Sequence, residues 1–318
     1  MKEIGGYFEL ELQERQEYHK KALKLNSGRN CLKYILKTQE VAKIYIPNFI
    51  CDSMIEPLEE LNIEYEFYNI DEKFEIIDNI ELKVNEKFLY VNYYALKSNY
   101  INYLSNRYGT KLIVDNTQDF FALPGENIDT IYSPRKFFGV SDGGYLYTNQ
   151  LVNELFKEDL SEKYSQLIGR IENGASPHYD KYQQAEQSLT CSPLKSMSKL
   201  TTRILASIDY ENVKKKRECN FHYLHSQLKE YNKLEIDLTN VKAPFSYPFI
   251  RDNNQLREHL IRNKVYVAKY WSEVLDRVTV NNNEKKLVNN IVSLPIDQRY
   301  GLEDMKRIIA EIKSVSHV

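Results

Sequence analysis

Short apolar runs alternate with helical segments of about ten residues through the first half of this chain, and that spacing leaves few folds open. Residues 42–46 (AKIYI), 65–68 (YEFY), 88–93 (FLYVNY) and 112–114 (LIV) read as strands. Residues 52–61 and 100–108 between them read as helices. Strands joined through helices run parallel, because an antiparallel pair can be closed by a tight hairpin and needs no crossover. The class expected is therefore α/β. In such sheets ligands bind beyond the carboxyl ends of the strands.

The second half reads differently. Residues 152–167 and 200–231 are helical in pattern, with a polar stretch at 172–187 between them. Strand-like runs follow at 234–236, 245–250, 265–267 and 291–294, interleaved with helices at 254–263 and 301–314. That is an α+β module. A chain of 318 residues fits two domains, placed at 1–201, with a mostly parallel central sheet flanked by helices, and 202–318, smaller. Charged residues make up 28% and the net charge is −2, so no strong field favours nucleic acid or an anionic membrane. The one dense basic run, Lys214-Lys215-Lys216-Arg217, reads as a solvated helix face. Cys31, Cys51, Cys191 and Cys219 show no CxxC spacing, so neither a zinc site nor a disulfide framework is indicated. No run approaches the roughly 18 apolar residues of a membrane span, and a soluble cytoplasmic protein is expected.

The chemistry concentrates in residues 112–148. One apolar run ends on Asp115, a second ends at Ser133, and Lys136 follows in Ser133-Pro134-Arg135-Lys136. An Asp at a strand end is commonly a turn residue or cap, and most lysines are solvated. Here Phe137, Phe138 and Gly139 flank the lysine, a setting expected to bury it and lower its pKa. Gly143-Gly144 would let the backbone pass close beneath the site. Asn26-Ser27-Gly28-Arg29-Asn30 opens an amphipathic helix. Such a turn is often only a cap, and it also directs free N–H groups toward an anion. A carboxylate and a lysine on neighbouring strand ends are what a pyridoxal phosphate site needs. The lysine holds the cofactor and the carboxylate pairs with its pyridinium nitrogen. A nicotinamide-binding reading is disfavoured, since no G-x-G-x-x-G follows an early strand.

With these residues in hand, the chain resembles the DegT/DnrJ/EryC1/StrS sugar aminotransferases among fold-type I pyridoxal phosphate enzymes. Ser27-Gly28 resembles the family's S-G-T phosphate turn. Residues 46–53 (IPNFICDS) resemble the strand-to-helix step whose aromatic lies over the cofactor ring. Asp115-Asn116-Thr117-Gln118 resembles D-A-A-Q/H, and Lys136 with Gly143-Gly144 matches the lysine-to-glycine-pair spacing. Residues 292–296 and 302–305 resemble the closing strand and helix.

The resemblance implies a homodimer that transfers an amino group from glutamate to a nucleotide-linked keto-sugar, in cell-surface polysaccharide or related sugar biosynthesis. It makes Lys136 the catalytic residue and Asp115 the partner of the pyridine nitrogen. Gln118 would lie beside the ring. Ser133, Gly28 and Arg29 would hold the phosphate, the last two through backbone N–H groups. Phe49 is the expected stacking aromatic, with Asn48 and Ile50 as alternatives. Tyr93, Tyr270 and Trp271 are candidate substrate contacts. Arg29 stands where the family has threonine, Ile131 occupies the position five before the lysine, and no N-x-R motif follows. Two other functions stay open. One is a pyridoxal phosphate enzyme of the same fold acting on another amine or keto substrate. The other is a non-catalytic relative serving as sensor or scaffold. Dehydratases of the family carry histidine in place of the lysine.

Overall fold

The computed structural model describes residues 4–152, 156–159, 164–239, 241–251 and 255–315. Seven strands form the central sheet: β1 (Leu23–Leu25), β2 (Lys43–Pro47), β3 (Glu64–Tyr68), β4 (Glu86–Val91), β5 (Leu112–Asp115), β6 (Asp129–Tyr132) and β7 (Gly144–Tyr147). Their spatial order is β1-β7-β6-β5-β4-β2-β3. β3, β2, β4, β5 and β6 pair parallel, while β7 pairs antiparallel with both β6 and β1. Every residue of β4, β5 and β6 is buried, as expected of parallel strands covered on both faces. In register, Val91 lies opposite Asp115, and Asp115 opposite Ile131. The carboxyl ends of the three central strands are therefore level, and they form the floor of one crevice.

Helices α1 (Gly28–Thr38), α2 (Glu56–Glu60) and α3 (Ser98–Tyr108) connect the early strands. Residues 52–61 form a 3-10 turn followed by the short α2 rather than one helix, with Pro57 in the first turn of α2. Helix α4 (Ser165–Asn173) begins later than the pattern at 152–167 indicates. Residues 156–159 of that segment are not helical, and 153–155 and 160–163 lie outside the described residues. The polar stretch at 172–187 contains a helix, α5 (Tyr179–Gln187); only Ala185 of it is buried, so it carries little apolar period to read.

The stretch at 200–231 is two helices, α6 (Lys199–Leu205) and α7 (Tyr210–Leu228), ending in a short 3-10 turn. Asp209 separates them by capping α7, its carboxylate accepting from the Asn212 N–H at 3.1 Å. Among the described residues, the C-terminal part pairs only β8 (Tyr247–Ile250) with β9 (Ile291–Leu294), antiparallel, and adds α8 (Leu256–Arg262), α9 (Asn282–Asn290) and α10 (Leu302–Ser314). Residues 234–236 and 265–267 are not strands. Val265 and Val267 alternate inward as a strand would, but they pack into the C-terminal core without a ladder partner.

Three apolar cores result. The largest lies against the central sheet. A second joins Phe221, Leu224 and Leu228 of α7 to β8, β9 and α10. A third, rich in aromatics, gathers Phe120, Phe137, Phe138, Tyr145 and Tyr210. Among the described residues, no helix is long and apolar enough to cross a membrane.

Candidate active site

Asp115 ends β5 with its carboxyl group buried. The Thr117 N–H donates to it at 2.9 Å, an interaction two residues along the chain that bends the backbone out of the strand. Burial raises its pKa; the Thr117 contacts and the Lys136 cation pull it back. Among the described residues it makes no ion pair, so a desolvated carboxyl is poised for a cationic N–H partner.

Lys136 closes the 3-10 turn Pro134–Lys136 that follows β6. Its side chain is exposed, against the expectation of burial. The reason is local: Phe137 and Phe138 turn into the third core beside Phe120 and Tyr210, and the lysine leaves on the other side. Its charge acts on both Asp115 and Cys51. Ser133, buried, sits at the end of β6, three residues before it.

Gly28 begins α1. A methyl group there would lie 3.7 Å from Thr117 and 3.8 Å from Ile131, so the helix N-terminus abuts the ends of β5 and β6. Ser27 caps the helix by accepting from the Asn30 N–H at 3.2 Å. The N–H groups of Gly28 and Arg29 fall in the first turn, where the helix supplies no carbonyl partner. The Arg29 side chain swings away to Glu56, 3.1 Å distant, and leaves only its backbone to the cup. Gly144 packs beneath: a Cβ there would stand 2.4 Å from the Ser27 carbonyl oxygen. Gly143, at φ +120°, donates its N–H to the Asn26 carbonyl at 2.7 Å. Asp115, Ser133, Lys136, Gly28 and the backbone of Arg29 thus meet at one crevice.

Most of the aromatic candidates are enclosed in the core. Phe49 is fully enclosed, its ring 4.5 Å from Trp271, 5.6 Å from Tyr93 and 6.3 Å from Phe74. Phe49, Tyr93 and Trp271 are therefore one core cluster and present no open face for a ring or a substrate. Rings at strand ends pack on one another when the topology brings them together. Cys51, two residues after Phe49, is half-buried and feels the charges of both Lys136 and Asp115; sequence reading passed over it. Gln118 is buried and accepts the Tyr94 N–H at 2.7 Å. It thereby holds a turn in which Tyr94 and Ala95 both have positive φ. Tyr270 is partly exposed, with burial of its hydroxyl beside Tyr182 and Asp297 raising its pKa.

Arg217 was also missed. Instead of lying on a solvated face it is buried, and it donates to the carbonyls of Pro244 and Phe245 at 3.0 and 3.2 Å. Its guanidinium lies 4.4 Å from the centre of the Phe137 ring, and Gln298 donates to the Phe137 carbonyl at 2.8 Å. The residue after Lys136 is thus clamped from the C-terminal module. A fourth residue in a Lys-Lys-Lys-Arg run gives no sequence sign of this.

No family model and no curated protein matches the chain. Solved structures do. A DegT DnrJ EryC1 StrS aminotransferase from Brucella abortus superposes with a TM-score of 0.62 at 17% identity, over 92% of this chain and 85% of that one. The NtdA protein of Bacillus subtilis, with bound cofactor PMP, gives 0.67 at 16% identity, over 92% and 73%. An E. coli GDP-4-keto-6-deoxy-D-mannose-3-dehydratase with bound hydrated PLP gives 0.62 at 15%, over 92% and 87%. The chain shares the fold of these structures. One fold here carries both amino transfer and dehydration, so the chemistry has to be argued from the crevice itself.

Proposed function

We propose that the chain is a pyridoxal phosphate-dependent aminotransferase of the DegT/DnrJ/EryC1/StrS type, taking its amino group from glutamate and delivering it to a nucleotide-linked keto-sugar. The observation that carries this reading is the meeting of buried Asp115 and exposed Lys136 over the level ends of β4, β5 and β6, beside the N-terminus of α1. These residues fit the cofactor: a desolvated carboxyl for a ring N–H, a helix N-terminus and a serine for a phosphate, and a reachable amine. When bound, pyridoxal phosphate supplies an electron sink for the carbanion formed as an amine loses its α-proton.

The chain's own part follows. Asp115 would hold the N–H of the ring nitrogen with its carboxylate. The N–H groups of Gly28 and Arg29, with the Ser133 hydroxyl, neutralise the phosphate at the positive end of α1. The Lys136 amine would hold the cofactor and, once freed by the incoming amine, would serve as the acid/base that takes up and returns the α-proton of the substrate. Lys136, where the family's dehydratases have histidine, favours amino transfer. The large unit would run to about Thr201, the protein would act as a cytoplasmic homodimer, and Tyr270, partly exposed, would be the substrate contact among the aromatic candidates.

Purified protein given pyridoxal phosphate should turn yellow, and borohydride should fix the cofactor on Lys136. Glutamate should bleach the colour. Lys136→Ala should lose at least about 10²-fold in amine-dependent turnover. A Lys136→Ala protein that still traps cofactor sinks the assignment. The enclosure of Phe49 and the turning away of Arg29 favour a second reading, a non-catalytic relative. A protein that stays colourless at saturating cofactor would select it.

A further inference from the structure

A cavity of about 770 Å³ opens in the C-terminal module, between α8, α9 and β9. It shares no residue with the crevice at Asp115 and Lys136. Asn282, Lys285, Lys286 and Asn289 line one wall; their spacing of three, four and seven puts them on one face of α9. Arg257 and Lys269 face them. Among the described residues of the lining, four cations thus meet one carboxylate, Glu258, and one apolar side chain, Val292.

Arg257 is set in place rather than waving in solvent. Its Nη2 donates to the Ile291 carbonyl at 2.6 Å. Its Nη1 is buried and has no hydrogen-bond partner among the described residues. A buried donor without a partner is costly, and an acceptor from a ligand would satisfy it. Lys269 leans on Asn289 at 3.2 Å, while Lys285 and Lys286 make no ion pair among the described residues. A fixed guanidinium, ammonium groups free to turn, and carboxamides together match phosphate oxygens. An apolar ligand would find almost nothing to bury against. A single carboxylate would leave most of the charge unanswered.

We propose that this cavity binds a diphosphate group. That chemistry has two sources, a nucleotide-linked ligand and a free polyphosphorylated metabolite.

The test is calorimetric titration of the full chain at low salt, with inorganic pyrophosphate in one arm and UDP or GDP in the other. No cofactor or amine is present, so the outcome is independent of the reading of Lys136. Pyrophosphate should bind, added salt should weaken it, and the exposed pair Lys285→Ala/Lys286→Ala should weaken it by at least about tenfold. Nucleoside diphosphates binding at least tenfold tighter than pyrophosphate would support the proposal and identify a nucleotide-linked source. Equal affinities would support it with a free polyphosphorylated source. Absence of binding by both probes at millimolar concentration, or equal binding by a folded double variant, overturns it.

Discussion

Replacing Arg217 tests whether the C-terminal module positions the lysine turn. The side chain is 1% exposed, and burial lowers its pKa only to about 10, so it stays cationic at neutral pH. Arg217→Ala would leave the Pro244 and Phe245 carbonyls and the Gln298 carboxamide oxygen without this donor. Each buried acceptor so stranded costs about 1–3 kcal/mol, less where water enters the space left behind. Loss of the contact with the Phe137 ring adds about 1 kcal/mol. Against this, a desolvated cation with no carboxylate hydrogen-bonded to it is removed, which returns several kcal/mol. The net expectation is a loss of about 3 kcal/mol for Arg217→Ala. Arg217→Met, which keeps most of the volume, should lose about half as much. At about 2 °C per kcal/mol for a chain of this size, Arg217→Ala should melt about 6 °C lower by circular dichroism. Because Phe137 follows Lys136, trapping of cofactor should also fall in Arg217→Ala before global unfolding begins. A melting midpoint within 1 °C of the parent, or a methionine variant weaker than the alanine one, would refute this account of the clamp.

Two further perturbations follow from the geometry. His19 is buried between the Phe120 carbonyl (2.7 Å) and the Tyr147 hydroxyl (3.2 Å), and burial lowers its pKa to about 4. Its unfolded value is about 6.5, so between those pH values the unfolded chain binds the proton first and up to about 3 kcal/mol of stability drains away as pH falls. Urea titrations from pH 7 to pH 4 should show this slope, flattened in His19→Asn; an unchanged slope in that variant would count against the assignment. Gly144→Ala would drive a Cβ to 2.4 Å from the Ser27 carbonyl oxygen and 2.5 Å from its carbon, both backbone atoms at the start of α1. A cost of about 2 kcal/mol and weaker pyridoxal phosphate binding by absorbance titration are expected, and a variant with the parent's midpoint and affinity would contradict the close approach.

Much of the scaffold is readable from local pattern. The runs that became β4, β5 and β6 are continuous and apolar because both faces are covered, and helical stretches between early strands force them parallel. The placement of Asp115 at a strand end and Lys136 just after the next strand follows from chain order alone, as does the glycine pair beneath the α1 turn. Other features depended on partners distant along the chain. Phe49, Tyr93 and Trp271 read as ligand contacts one by one, yet the fold packs them on one another, and Trp271 comes from far along the chain. Val265 and Val267 have a strand's alternation but no neighbouring strand to pair with. Lys136 and Phe137 are adjacent in sequence and face opposite environments, one exposed and one in the aromatic core. Arg217 reads as one more surface cation until the carbonyls of residues 244 and 245 close around it. Local sequence therefore determined the strands, their direction and the order of the polar groups at their ends. Burial and hydrogen bonding are shared between residues far apart in the chain, so only the tertiary structure decided which side chains became core, which became clamps and which remained open to a ligand.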